Sequence, residues 1–185
     1  MAIDDDLVVR ARAGEIRAFE ALFEARVAAM LRLAAAIVGN DDDARDAVQQ
    51  ASIQAWRELP HLREVNRFDA WFGRILTNAC RALLRSRRRR QVREVPVASL
   101  DEATGIKLST RSSPSPAEQT SEVDVLSRAF DRLSADARVL MALHHLEGRS
   151  LAETAARSGI SIATAKWRLH EARTALERAL ELERR

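Results

Sequence analysis

A chain of 185 residues with 46% hydrophobic side chains can bury one large core or two small ones, and no apolar run in it approaches a membrane span. Its single cysteine, Cys80, excludes a disulfide framework and a cysteine metal site. Lys107 and Lys166 are the only lysines among 30 basic side chains, set against 27 acids for a net charge of +3, so the placement of the arginines decides what they bind.

With no secretory signal ahead of Asp4, the chain reads as soluble and cytoplasmic. The four prolines, Pro60, Pro96, Pro114 and Pro116, fall outside periodic segments, and alternating β-branched runs are scarce. The expectation is an all-helical protein. A first helix is predicted from about Asp4 to Ala13. A second spans about Ile16 to Val38, with Phe19, Leu22, Phe23, Val27, Met30, Leu31 and Ile37 spaced for burial, and Gly39-Asn40-Asp41 stops it. The third, about Asp42 to Glu58, buries Ala44, Ala47, Val48, Ala51 and Ala55 and ends before Pro60. Its other side presents Asp42, Asp46, Gln49, Gln50, Ile53 and Arg57. An isoleucine ringed by polar groups suits a docking surface, although a single exposed isoleucine is also commonplace.

After a loop from Pro60 to Arg67, a fourth helix is predicted from about Phe68 to Arg90. Phe72, Leu76, Ala79, Cys80 and Leu83 form its buried face, with Ile75 at the margin. Trp71, Arg74, Asn78, Arg81, Arg85 and Arg88 share the opposite face. Arginines that follow phosphates beside an aromatic that stacks on bases suit a single-stranded nucleic acid, and a solvated charged face is the plainer alternative.

From about Gln91 to Thr120 the composition shifts to Ser, Thr, Pro and Glu without a helical period, which reads as a flexible linker. Two small helical domains are therefore expected, 1–90 and 121–185, around a linker at 91–120. Val123, Leu126, Phe130 and Leu133 begin a helix beyond it, and Ser134 can cap another that ends at Gly148. Ser150 with Glu153 forms a capping box, Gly159 can end the short helix that follows, and Ser161 offers the next N-cap. In the last helix Ile162, Ala165, Leu169, Ala172, Leu176 and Leu180 share a buried face. Ala163, Thr164, Trp167, His170, Glu171 and Thr174 lie opposite, flanked by Lys166, Arg168 and Arg173. This is the pattern of a helix-turn-helix whose second helix enters a major groove, and an ordinary helical hairpin shows the same caps and stripe.

The sequence offers no phosphate-cradling glycine loop, no H-E-x-x-H and no nucleophile with a matched base, so no catalytic residue, metal site or cofactor is expected. His144 and His145 are adjacent and point in different directions on a helix. Both read as packing or surface residues.

DLVVRARAGEIRAFEALF, DDARDAVQQASIQAWREL and FDAWFGRILTNACRALLRSRRRR in the first half, and AFDRLSADARVLMALHHLEGRSLAETAARSGISIATAKWRLHEARTAL in the second, closely resemble the extracytoplasmic-function group of bacterial sigma factors. The resemblance covers about Asp5 to Arg90 and Leu126 to Leu180. It implies a subunit that binds core RNA polymerase, reads two promoter elements and melts the downstream one. On that likeness Asp42, Asp46, Gln49, Gln50 and Ile53 would meet core polymerase. His61, Arg67, Phe68, Trp71, Arg74, Asn78, Arg81 and Arg85 would contact the minus-ten element, taken as a single strand. Ser161, Ala163, Thr164, Lys166, Trp167, Arg168, His170, Glu171 and Arg173 would contact the minus-thirty-five duplex. An anti-sigma factor is a further candidate partner, and membrane insertion is not expected.

The chain departs from the family pattern at Gln50 and Ser52, which replace an acid and a large aromatic. It departs again at Trp167, usually small or polar, and at Glu171, usually basic. An acid there repels phosphate and favours the amino group of cytosine, so an unusual upstream element is expected. Two other readings are a stand-alone helix-turn-helix regulator and a site-specific recombinase or nuclease. The first leaves the Trp71 and arginine stripe unexplained. The second needs a catalytic serine or acidic metal cluster in a strand-bearing domain.

Overall fold

The computed structural model describes residues 2–94 and 122–183; most of the expected linker, 95–120, lies outside them. The described residues form two helical domains. The first contains α1 (Ala2–Arg12), α2 (Ile16–Val38), α3 (Asp41–Glu58) and α4 (Phe68–Glu94), with two short 3-10 turns at Leu59–His61 and Val65–Arg67. The second contains α5 (Glu122–Asp131), α6 (Ala135–Met141), a π turn at Ala142–Leu146, α7 (Leu151–Ser158) and α8 (Ile162–Glu183). No described helix is long and apolar enough to cross a membrane.

Local chemistry sets the helix ends. Gly39 takes the left-handed conformation that closes α2 (φ +87°) and donates its N–H to Ala35 O at 2.8 Å. The Asn40 side chain then caps α3 by accepting from Asp43 N at 2.8 Å, and Asp41, Asp42 and Asp43 place negative charge at the positive end of the helix dipole. Contrary to the expected end near Arg90, α4 runs on to Glu94.

The first domain is organised by small residues on α3 and aromatics on α4. Ala44, Ala47, Val48, Ala51 and Ala55 are all buried, and this face lets α3 approach both α2 and α4 closely. Beneath it Phe19 meets Trp56 (centroids 5.2 Å apart) and Phe72 (6.4 Å), and Phe68 meets Phe72 (5.5 Å), all as tilted ring pairs within the distance at which aromatic rings attract. Ile75, expected at the margin, is buried, whereas Phe23, Val27, Leu31 and Leu83 are only partly so. In the second domain Leu133, Leu140, Met141, Leu169 and Ala172 form the core, with Phe130, Leu151, Ile160 and Leu176 packed around it.

The two domains meet along a seam in which α4 packs on α6 and α7, and α2 packs on α6 and the π turn. Val139, Ala142 and Leu143 of the second domain are fully buried and belong to the core of the first. Polar contacts reinforce the seam. Arg138 pairs with Asp131 at 2.9 Å and donates across the seam to Ile37 O at 3.3 Å. Arg157 donates to Glu147 at 2.6 Å and, across the seam, to Asp69 O at 2.9 Å. A cleft of about 320 Å³ runs along this junction between Met30, Leu33 and Phe72 on one side and Glu147, Arg149 and Arg157 on the other.

Candidate polymerase and nucleic-acid interfaces

The exposed face of α3 carries Asp42, Asp46, Gln49, Gln50 and Ile53 as the sequence anticipates, with Ile53 46% exposed. Trp56 and the alanines fix the helix from behind, and Arg87 of α4 holds its first turn through Asp43 at 2.8 Å. Asp42 is paired with Arg45 at 2.7 Å, and Ser52 Oγ donates to Gln49 O at 2.8 Å. The result is an apolar knob in a polar ring on a rigid support. That surface can dock a protein partner through a few desolvated contacts.

The stripe along α4 differs from its expected form in two places. Phe68 is only 3% exposed, because it falls in register with Phe72 and Leu76, and its ring receives the Arg26 guanidinium at 5.3 Å. Arg81 is 9% exposed instead of solvated: it donates to Asp136 of α6 at 2.8 Å and to Asn78 Oδ1 at 3.1 Å. Trp71 is half-buried against Phe68, with centroids 5.8 Å apart. Arg74 is exposed yet lies beside the turn between α7 and α8, where a Cβ on Gly159 would stand 3.4 Å from its guanidinium. Asn78, Arg85 and Arg88 are exposed, as are His61 and Arg67 in the preceding loop, where Arg67 pairs with Glu64 at 2.7 Å. An open stripe of cations thus flanks a middle section that the second domain covers.

The helix-turn-helix is built as its caps dictate. Ser150 and Glu153 form the complete capping box, and hydrogen bonds from Ser150 hold the Glu153 carboxyl below its ordinary range. Gly159 ends α7 in the left-handed conformation (φ +70°), and Ser161 Oγ accepts from Thr164 N at 3.1 Å to start α8. Ala165, Leu169, Ala172 and Ala179 are buried. Ile162, expected on that face, is 54% exposed because the first residue of the helix projects past the core. Ala163, Lys166, Trp167, His170, Glu171 and Arg173 are exposed, Trp167 by 62%, while Thr164 and Arg168 are half-buried. Arg173 donates to His145 at 3.3 Å, and His145 is held below the usual imidazole pKa by burial first and by this guanidinium second. The exposed side of α8 therefore offers cations, a donor-acceptor imidazole, an acid and a large ring. These groups can meet base edges and phosphates in a groove.

Asp136, Arg157 and Gly73 escaped the sequence reading. An acid two residues after a serine N-cap reads as a helix-dipole group, and nothing local connects it to an arginine 55 positions earlier.

Comparison with known proteins adds to these faces. Residues 22–90 match the family model for Sigma-70 region 2, and residues 124–176 match that for Sigma-70, region 4. The ECF RNA polymerase sigma factor SigM of Mycobacterium tuberculosis (strain Erdman) is 30% identical over 171 residues, which covers 91% of this chain and 80% of that protein. RNA polymerase sigma factor CnrH of Cupriavidus metallidurans is 28% identical, covering 96% of this chain and 94% of that one. The structure of CnrH in complex with the cytosolic domain of CnrY is similar with a TM-score of 0.67 at 25% identity, over 97% of this chain and 98% of that chain. The sigma factor RpoE of Bartonella quintana, in complex with the anti-sigma factor NepR, gives a TM-score of 0.62 at 25% identity, over 88% of this chain and 96% of that chain. The chain belongs to the extracytoplasmic-function group of sigma-70 family RNA polymerase sigma factors, and as such it is a DNA-binding, non-enzymatic subunit that directs RNA polymerase to promoters.

Proposed function

We propose the following division of labour. Residues 1–90 dock on core polymerase through Asp42, Asp46, Gln49, Gln50 and Ile53. The same domain takes the unpaired strand of the minus-ten element along His61, Arg67, Trp71, Arg74, Asn78, Arg81 and Arg85. Residues 121–185 read the minus-thirty-five duplex through the exposed side of α8, and 91–120 connect the two. Phe68 drops out of the reading set, since a buried ring cannot stack on a base. The work is done in the cytoplasm, where polymerase is found. Because the similar chains CnrH and RpoE have been solved with CnrY and NepR, an anti-sigma factor is proposed to regulate this chain as well.

The observation that supports this reading best is the exposed side of α8, a capped helix whose Trp167, Lys166, His170, Glu171 and Arg173 face solvent beside a buried alanine seam. Ordinary solubility does not call for a tryptophan there. The test is transcription by core polymerase reconstituted with this chain on a promoter library, with permanganate detection of unpaired thymines. Selection of a two-part promoter that opens only with the chain present is expected. Tight, specific binding by the chain alone, without opening when polymerase is added, would instead indicate a stand-alone regulator.

A further inference from the structure

His145 stands in the π turn at Ala142–Leu146, which closes through the bond from Glu147 N to Ala142 O at 3.1 Å. Single wide turns of this kind recur at functional sites. Adjacent histidines are expected to point apart on a helix, yet here the two rings meet edge to face with centroids 4.8 Å apart. His144 is anchored from the other side. Its Nδ1 lies 2.8 Å from Arg149 O, and because a carbonyl oxygen only accepts, that nitrogen carries a proton.

His145 then faces α8, where its Nε2 lies 3.3 Å from both Nε and Nη2 of Arg173. A guanidinium has donors and no acceptor, so Nε2 must offer its lone pair and the ring is neutral. Burial first, then the charges of Arg173 and His144, keep it in that form by lowering its pKa. The guanidinium is thereby held along one edge, and its remaining N–H groups are left for another acceptor.

The chemistry of its partner sets this arginine apart. Arg149 and Arg157 both meet the Glu147 carboxylate, at 3.2 and 2.6 Å, which offsets their charge. Among the described residues no carboxylate pairs with Arg173. An acid would compete with a phosphate for the guanidinium, whereas a neutral imidazole restrains the long side chain and cancels none of its charge. Arg173 is exposed, as are Lys166, Trp167 and His170 of the same helix.

Building on the functional reading above, we propose that His145 is a positioning residue for promoter binding: it orients the Arg173 guanidinium toward a phosphate of the upstream duplex while leaving its charge intact. The gain is entropic. A side chain already held in one orientation gives up less freedom when the phosphate arrives.

The test uses core polymerase reconstituted with the full chain, and reads closed-complex affinity and its salt dependence on a promoter selected by the wild type. Arg173→Ala should weaken binding and reduce the salt slope by about one. His145→Phe keeps a ring beside His144 and removes the acceptor. It should weaken binding about two- to ten-fold, the range that releasing one long side chain spans, with the salt slope unchanged because no charge is lost. His145→Gln keeps an acceptor and removes the ring, and should stay within about two-fold of the wild type. In the Arg173→Ala background His145→Phe should cost nothing further.

Wild-type affinity in His145→Phe, a loss in His145→Gln as large as that in His145→Phe, or an equal cost of His145→Phe with and without Arg173 would each overturn the proposal while leaving α8 on the duplex. Failure of the functional reading looks different. Arg173→Ala would then leave both affinity and salt slope unchanged, which removes Arg173 from the duplex and the role of His145 with it.

Discussion

The guanidinium of Arg157 lies against Gly73 so closely that a Cβ there would stand only 2.5 Å from the guanidinium carbon, and any side chain at 73 would have to move Arg157. Arg157 is largely buried, and burial lowers its pKa below the ordinary guanidinium value while Glu147 pulls it back. A buried cation of this kind is tolerable only because its donors are matched, by Glu147 at 2.6 Å and Asp69 O at 2.9 Å. Replacing it removes packing and strands an acceptor on each side of the seam. Arg157→Ala is therefore expected to destabilise the chain by about 2 kcal/mol, or roughly 4–8 °C in Tm for a protein of this size. An unchanged melting curve would show that the seam contributes nothing to stability.

Ile53 permits a cleaner separation of binding from folding, because it is exposed and the opposite face of α3 carries the packing. Ile53→Arg should leave the melting temperature within about a degree, as surface substitutions usually do. In a competition assay for core polymerase it should weaken binding by at least about ten-fold, since a charge would be forced into the centre of a contact. Retained affinity would move the docking surface elsewhere.

How much of this was legible in the sequence depended on the distance over which each feature is determined. The bounds of α2, the five buried residues of α3, the Ser150 capping box and the Gly159 turn follow from spacing and caps within a few residues, and all stand as expected. Phe68 carried a local signal too, since Phe68, Phe72, Leu76 and Ala79 keep steps of three and four, and that register places it in the core. Arg81 carried none. Its helical face is the one that also holds Arg74 and Arg85, and only the docking of α6 distinguishes it from them. The same holds for Val139, Ala142 and Leu143, whose apolar character was plain while their partner across the seam was not.

Acid should loosen the second domain at a known place. Glu183, in the last turn of α8, accepts from Arg128 at 2.7 Å and Arg132 at 2.5 Å, tying the two ends of that domain together. The hydrogen bond from Arg128 leads in holding its carboxyl below the ordinary value of 4.5, with Arg132 adding to it. A depressed carboxylate contributes stability that is present above its unfolded pKa and is lost as the pH falls through the folded one. The contribution, about 1 kcal/mol for a paired network of this exposure, should be full at neutral pH and decline below about 4.5. Thermal melts of the wild type and Glu183→Gln should therefore differ at pH 7 and converge in acid. A difference that persists unchanged in acid would mean that packing, and not charge, accounts for the role of Glu183.

The two reading surfaces should fail in different ways, because one is proposed to hold an unpaired strand and the other a duplex. Arg85 and Lys166 are the informative pair, since both are exposed, whereas Arg81 and Arg168 lie beside Asp136 at the seam. In polymerase reconstituted with each variant, Lys166→Ala should weaken closed-complex binding and reduce its salt slope by about one, the signature of a lost duplex phosphate contact. Arg85→Ala should leave that binding and slope nearly intact while slowing the appearance of permanganate-reactive thymines, because its phosphate becomes available only after strands separate. Trp167→Ala should change which upstream sequences are selected, because its exposed ring lies among the groups that face the groove. If Arg85→Ala and Lys166→Ala both weaken the closed complex equally, or both spare it and slow opening, then α4 and α8 do not divide the promoter between them as proposed.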